Sequence, residues 1–246
     1  MKRSPTDLNT GLADSPFARP DLFRDRRKGV PEVILCSTKT TAQSLEIAAR
    51  LLEARGRAIL SRVTPELHGA LSEQYGSHLE WHPASRMAVI RRPGETAPSG
   101  NGVVGVLTAG TSDQPIAEEA AIVCQEMGCS VHTVYDVGFA GLHRLFAPLR
   151  TLIEDVAVDV IIVAAGMDGA LPSVVSGLVD VPVIGLPTPV GYGKGGQGEA
   201  ALLAMLQTCS PGLAVVNIDN GVGAGVTAAL IANRAEKQRA LARASV

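Results

Sequence analysis

The sequence predicts an α/β protein: a parallel three-layer sheet in the C-terminal part, preceded by a smaller α/β domain. Three observations carry this. Between Gly105 and Gly225 the chain reads strand, polar turn, helix, several times over, the alternation that builds parallel sheets covered by helices. Residues 158–164 are almost wholly apolar, as a strand covered on both faces must be. Glycine, serine, threonine or aspartate stands where each strand ends, and open α/β sheets bind ligands at the carboxyl ends of their strands.

Taken in order, residues 1–20 are polar, turn-rich and aperiodic, and read as a mobile tail. Residues 21–92 form the small N-terminal domain. A basic helix runs from Asp21 to Gly29, and residues 32–36 are a strand. Residues 41–55 are a helix, because Leu45, Ala48, Ala49 and Leu52 share one helical face. Residues 58–61 and 87–90 are strands. Residues 93–102, rich in Pro, Gly and Ser, are the linker. The domain at 103–246 opens with a strand at 103–108 and a helix at 114–127. A strand at 130–135, a helix around 142–153 and the apolar strand at 158–164 follow. A strand at 183–186, a helix at 198–208, a strand at 214–218 and a helix over 226–243 complete it.

Composition narrows the function. No apolar stretch reaches 18 residues without Gly, Pro or a charge, so no membrane span is expected. The four cysteines, at 36, 124, 129 and 209, are too dispersed for a disulfide framework; a reducing cytoplasm fits. Residues 1–92 hold 15 Lys+Arg against 10 Asp+Glu, whereas residues 93–246 hold 7 against 14. Aromatics are 3% of the chain, too few to stack nucleic-acid bases, so no nucleic acid is expected as partner. Neither Ser37-Thr38-Lys39-Thr40 nor the glycine-rich segment around Lys194 has the order of a P-loop.

The strand-end turns hold the candidate site. Gly110-Thr111-Ser112-Asp113 precedes a helix. It is either a helix cap or an anion site made by free N–H groups, with Asp113 a candidate for Mg²⁺ or ribose. Gly141-Leu142-His143-Arg144 follows another strand; His143 is a surface histidine or a functional one. After the most apolar strand comes Gly166-Met167-Asp168-Gly169-Ala170, whose small residues allow close approach of a planar ligand. Asp168 is a general base there, or only a cap. Pro187 and Thr188 lead into Gly191-Tyr192-Gly193 and the glycines beyond, a flexible ligand cover. Asn217, Asp219 and Asn220 close the last strand. Cys209 lies in a polar turn, unlike Cys36 and Cys124, which read as packing residues. A helix C-terminus disfavours a thiolate, so Cys209 needs another activator, such as a bound cationic ring.

With these turns the sequence resembles the LarB family, the carboxylase/hydrolase of nickel-pincer cofactor biosynthesis, over roughly residues 20–232. The likeness rests on Gly110-Thr111-Ser112-Asp113, Asp136-Val137-Gly138, Gly141-Leu142-His143-Arg144, Ala165-Gly166-Met167-Asp168-Gly169, Pro187-Thr188, Val190-Gly191-Tyr192-Gly193, Cys209 and Val216-Asn217-Ile218-Asp219-Asn220-Gly221. The second half is more distantly similar to AIR carboxylase (PurE). The resemblance implies a flavodoxin-like sheet, assembly as a homo-octamer, and nicotinic acid adenine dinucleotide, CO2 or bicarbonate, and a divalent cation such as Mg²⁺ as reaction components. It implies Cys209 as covalent nucleophile, Asp168 as proton acceptor, and His143 with Arg144 near the reacting carboxylate or phosphate. Asp168 stands where the family usually has glutamate, and Thr38 where it usually has glycine. An AIR-carboxylase-like mutase and a non-catalytic nucleotide sensor are the rival readings.

Overall fold

A computed structural model describes residues 18–245; the expectation for the tail falls, up to residue 17, outside the described residues. The chain divides into two compact units that meet in sequence between Thr96 and Ala97.

The first unit holds helices α1 (Arg24–Lys28), α2 (Thr41–Arg55) and α3 (Pro65–Tyr75) and strands β1 (Val33–Leu35), β2 (Arg57–Ser61), β3 (Leu79–His82) and β4 (Met87–Arg91). Its sheet has the order β1-β2-β4-β3 and is mixed: β1 runs parallel to β2, and the other pairs are antiparallel. A reciprocal cap starts α2. The Thr40 hydroxyl accepts from the Gln43 N–H at 3.2 Å, and the Gln43 side chain accepts from the Thr40 N–H at 3.0 Å. Helix α3 and strand β3 add to the sequence reading. Thr64 caps that helix, its hydroxyl accepting from the Leu67 N–H, with Pro65 at the first helical position, a start signal that the surrounding polar residues mask. Only Leu67 and Leu71 of α3 are buried, too short a stripe to show as periodicity. The basic helix expected from Asp21 is a single turn, α1.

The second unit alternates β5 (Val103–Thr108), α4 (Gln114–Glu126), β6 (Ser130–Val134), α5 (His143–Arg150), β7 (Val160–Ala165), α6 (Ala170–Ser176), β8 (Val183–Pro187), α7 (Glu199–Leu206), β9 (Leu213–Val215) and α8 (Gly221–Ala244). All five strands are parallel, in the order β6-β5-β7-β8-β9. This is the flavodoxin-like order. The chain leaves β5 toward one edge and returns to its other side at β7, so the topological switch point lies between β5 and β7. Every residue of β7 is buried, as its central place requires. Val104, Val106, Ile162 and Ile184 face α4 and α8; Leu107, Ile161, Val163 and Val183 face the layer that supplies Leu145, Val175 and Met205. Each such buried side chain stabilises the fold by about 1.5–3 kcal/mol relative to exposure.

Helices α4 and α8 meet through small residues, Ala117, Ala120 and Ala121 against Ala224, Ala228 and Ala232. A Cβ on Gly225 would stand 2.5 Å from the Ala120 carbonyl oxygen, so that crossing requires glycine. The helices differ from the sequence reading in three places. The helix expected at 142–153 is α5 followed by a wider π-helical turn, Thr151–Asp155, with Pro148 inside α5. Helix α6 is additional. Helix α8 begins five residues early because the Asn220 side chain accepts from the Gly223 N–H at 2.9 Å. Among the described residues no helix is long and apolar enough to cross a membrane.

Candidate functional site

A cleft of about 330 Å³ opens at the carboxyl ends of the strands. It is lined by Gly110, Thr111, Ser112 and Asp113 after β5, Asp136 and Phe139 after β6, and Gly166, Met167, Asp168 and Ala170 after β7. The loops that build it are therefore those flanking the switch point.

Asp113 fixes these loops to one another. It is 3% exposed. One carboxylate oxygen accepts from the Thr188 hydroxyl at 2.5 Å and the other from the Gly110 N–H at 2.8 Å; the Gly166 backbone also donates to it. Burial raises the pKa of Asp113, and these three donors pull it back. The turns after β5, β7 and β8 thus share one buried carboxylate. Close approach adds to the constraint: a Cβ on Gly166 would lie 2.3 Å from the Val190 carbonyl oxygen and 2.7 Å from the Thr188 hydroxyl.

This arrangement changes the reading of Asp113. Its carboxylate is spent on the fold, and among the described residues no cluster of three or more His, Cys, Asp or Glu could hold a metal ion. Asp113 is engaged within the fold, and Asp136 and Asp168 are exposed carboxylates of the cleft.

Two lining residues, Asp136 at φ 59° and Met167 at φ 52°, hold left-handed backbone conformations. For a non-glycine residue such as Met167 this costs about 1–2 kcal/mol, and such strain gathers at functional sites. The Met167 N–H donates to the Val190 carbonyl at 2.7 Å, which pins the turn. Asp168, next along, is exposed in the cleft. Arg144 donates to Asp136 at 2.8 Å, so the cation of α5 reaches the cleft through a carboxylate. A 3-10 turn, Thr111–Asp113, precedes α4; the first N–H groups of such a turn have no internal acceptor, and Thr111 and Ser112 line the cleft.

The other sequence-predicted residues spread around this centre. Gly141 and His143 lie at the start of α5, with His143 exposed. Gly169 is buried beneath the cleft, against Ala201. Pro187 ends β8, and Thr188 is fully buried. Gly191, Tyr192 and Gly193 continue outward, with Tyr192 82% exposed. The Asn217 and Asn220 side chains accept from the nearby Ile218 and Gly223 N–H groups, each at 2.9 Å. The Asp219 N–H donates to the Pro187 carbonyl at 2.9 Å. Phe139, Val190 and Leu171 line the cleft as well. Apolar residues give no chemical signal in a sequence, whereas Asp136 sits in a motif that could have marked it.

Cys209 is the outlier. It is exposed, whereas Cys36, Cys124 and Cys129 are buried. Burial pushes the Cys36 thiol up and that of Cys129 up to about 11. Cys209 does not line the cleft. It lies in the loop between α7 and β9, where the Ser210 hydroxyl donates to the Ser173 carbonyl and the Ser176 hydroxyl to the Pro211 carbonyl, each at 2.8 Å. That loop is packed along the C-terminal half of α6, and the cleft is at the N-terminal end of α6. The seven residues of α6 span about 10 Å.

A parallel sheet of this order, with a cleft at its switch point, defines a domain of the flavodoxin-like class. Residues 103–244 match the AIR carboxylase family, and residues 12–92 match the LarB/PurE-like N-terminal domain. The chain belongs to the AIR carboxylase family and carries the LarB-type N-terminal domain ahead of it. Uncharacterized protein MJ0165 of Methanocaldococcus jannaschii is 44% identical over 86% of this chain and 82% of its own length. The N5-carboxyaminoimidazole ribonucleotide mutase of the same organism is 31% identical over 51% of this chain and 76% of its own. The mutase of that name from Thermotoga maritima is 30% identical over 52% and 73%. Membership supports an enzyme of the carboxylase or mutase kind.

Proposed function

We propose that this protein carboxylates the pyridinium ring of nicotinic acid adenine dinucleotide at C5 and cleaves its phosphoanhydride, yielding pyridinium-3,5-biscarboxylic acid mononucleotide and AMP for nickel-pincer cofactor biosynthesis. The observations that support this most are an exposed carboxylate in the cleft, Asp168, and one exposed cysteine, Cys209, in a chain whose other thiols are buried. A mutase acting on an aminoimidazole needs no thiol.

The thiolate of Cys209 adds to C4 of the ring, and the ring electron pair moves to the nitrogen and cancels its charge. C5 is then an enamine-like carbon and attacks CO2, forming a C–C bond. Asp168 takes the proton from C5. Expulsion of the thiolate restores the aromatic cation. Water then attacks phosphorus, the P–O–P bond breaks and AMP leaves; the N–H groups of Thr111 and Ser112 and the guanidinium of Arg144 meet the phosphate charge.

The test is mass spectrometry of the purified protein with the dinucleotide and ¹³C-bicarbonate, with and without Mg²⁺. AMP together with a labelled dicarboxylated mononucleotide, absent in Cys209→Ser, is the expected result. Unchanged dinucleotide from folded protein would overturn the reading. Turnover of an aminoimidazole ribonucleotide by Cys209→Ser would favour the mutase, which the relatives of that name also suggest.

A further inference from the structure

The first unit holds a cavity that the proposed reaction does not use. It measures about 390 Å³, against about 330 Å³ for the cleft of the second unit, and falls in the size range of small-molecule sites. Strand β1 and the first half of α2 line it, with Ile34 and Ile47 buried there. Residues 18–20 line it as well. Lys39 and Gln43 bring polar groups, as does Glu32, whose carboxylate is held by Arg24 at 2.8 Å. An apolar body with a few placed polar groups is what such sites present to a ligand.

The hydrogen bonds of β1 decide what fits. It is an edge strand of its sheet. The Cys36 N–H donates to the Ser61 carbonyl of β2 at 3.0 Å. Backbone groups alternate in direction along a strand, so Ile34 also faces β2, whereas Val33 and Leu35 turn theirs to the open edge, where both residues line the cavity. The Leu35 carbonyl is engaged there by the Lys39 ammonium, which donates to it at 2.9 Å. Beside it the edge offers the Val33 carbonyl and the Leu35 N–H, one acceptor and one donor on the same side of the strand. A lysine laid over an edge opposes pairing with a further strand, which disfavours a peptide as occupant. A planar group with a donor and an acceptor on neighbouring atoms fits instead, and the Watson–Crick edge of a nucleobase is such a group. An ammonium has three donors, so Lys39 keeps two for an anion.

We propose that this cavity of the first unit is a nucleoside monophosphate site, in which the base edge pairs with the Val33 carbonyl and the Leu35 N–H and Lys39 meets the phosphate. Adenine suits that order: its exocyclic amine donates to Val33 and its N1 accepts from Leu35. The side chains of Leu35, which is exposed, and Ile47 supply apolar surface for the ring. The assignment does not rest on the reaction proposed above.

The probe is 8-azido-AMP, irradiated with the full chain and located by mass spectrometry of tryptic peptides. Label is expected within residues 18–50, which hold the cavity lining. Excess AMP removes it, and an equal excess of inorganic phosphate leaves most of it. No label, or label confined to the cleft loops of the second unit, would overturn the proposal. Displacement by phosphate as effective as by AMP would overturn it too, because the cavity would then hold the anion alone.

Two further arms test the contacts. N6,N6-dimethyl-AMP carries no amine hydrogen for the Val33 carbonyl and is expected to compete about tenfold less well than AMP; equal competition would remove the base pairing. Lys39→Met keeps the length of the stem and removes the charge. It is expected to weaken AMP about tenfold in the same labelling titration, with Lys39→Arg restoring most of the affinity, and an unchanged midpoint in Lys39→Met would take the phosphate away from Lys39. A chain inert toward the dinucleotide that still takes up label within residues 18–50 would sink the proposed reaction and leave this site standing.

Discussion

Replacing Thr188 by valine probes the buried carboxylate that fixes the cleft. The change keeps the side chain's shape and removes only the hydroxyl that donates to Asp113 at 2.5 Å. A hydrogen bond to a charged group is worth about 1.5–3 kcal/mol. Thr188 is fully buried, so no water takes its place, and a loss of about 2 kcal/mol follows. In a unit of this size that lowers the melting temperature by about 4–8 °C. The loss depends on pH. Asp113 has a raised pKa, so its contribution is fully present below the unfolded value near ~4 and is lost as pH rises through the folded value. The Thr188 hydroxyl lowers that folded pKa; without it the erosion continues to higher pH. The gap between wild type and variant is thus narrower at pH 4.5 than at pH 8. Urea denaturation of the full chain at both pH values, followed by far-ultraviolet circular dichroism, measures it. Tryptophan fluorescence would miss it, because Trp81 belongs to the other unit. A loss below about 0.5 kcal/mol, or one equal at both pH values, would refute the reasoning.

Gly166→Ala drives a methyl onto the Val190 carbonyl oxygen and is expected to cost about 1–3 kcal/mol by the same denaturation assay. Ellman titration is expected to find one reactive thiol per native chain, Cys209, and four in guanidinium, since the other three are buried; two or more fast native thiols would contradict that burial. Arg144→Met removes an ion pair whose partners are both more than 40% exposed, so stability changes by less than about 1 kcal/mol. Binding of the dinucleotide by calorimetry is expected to weaken about tenfold, and unchanged affinity would remove Arg144 from the site.

The second unit was the more legible part of the sequence. Its strands are apolar and its turns polar, and the fully buried β7 can be read as nothing else. Helix α3 was hidden because two buried leucines make no pattern, although Thr64 and Pro65 carried the start signal. The residue types of the cleft were legible, since Gly110 to Asp113 and Gly166 to Asp168 converge as strand-end turns must. Two things were not. Asp113 reads as a ligand until the Thr188 hydroxyl, 75 residues away, is brought against it. Cys209 reads as a neighbour of Asp168 until the parallel topology sets the α7–β9 loop at the far end of α6. Both depend on tertiary proximity, on which local pattern is silent.

The small-residue seam between α4 and α8 also has a consequence for the order of assembly. The two helices are separated by roughly a hundred residues, and Cys124 touches the Gly225 carbonyl at 3.3 Å. During synthesis α4 and one face of the sheet emerge long before their cover. Ala117, Ala120, Ile162 and Ile184 stay open to solvent until residues 221 onward leave the ribosome. A nascent chain paused before Gly221 therefore exposes an aggregation-prone apolar face, and docking of α8 is the late event that covers it.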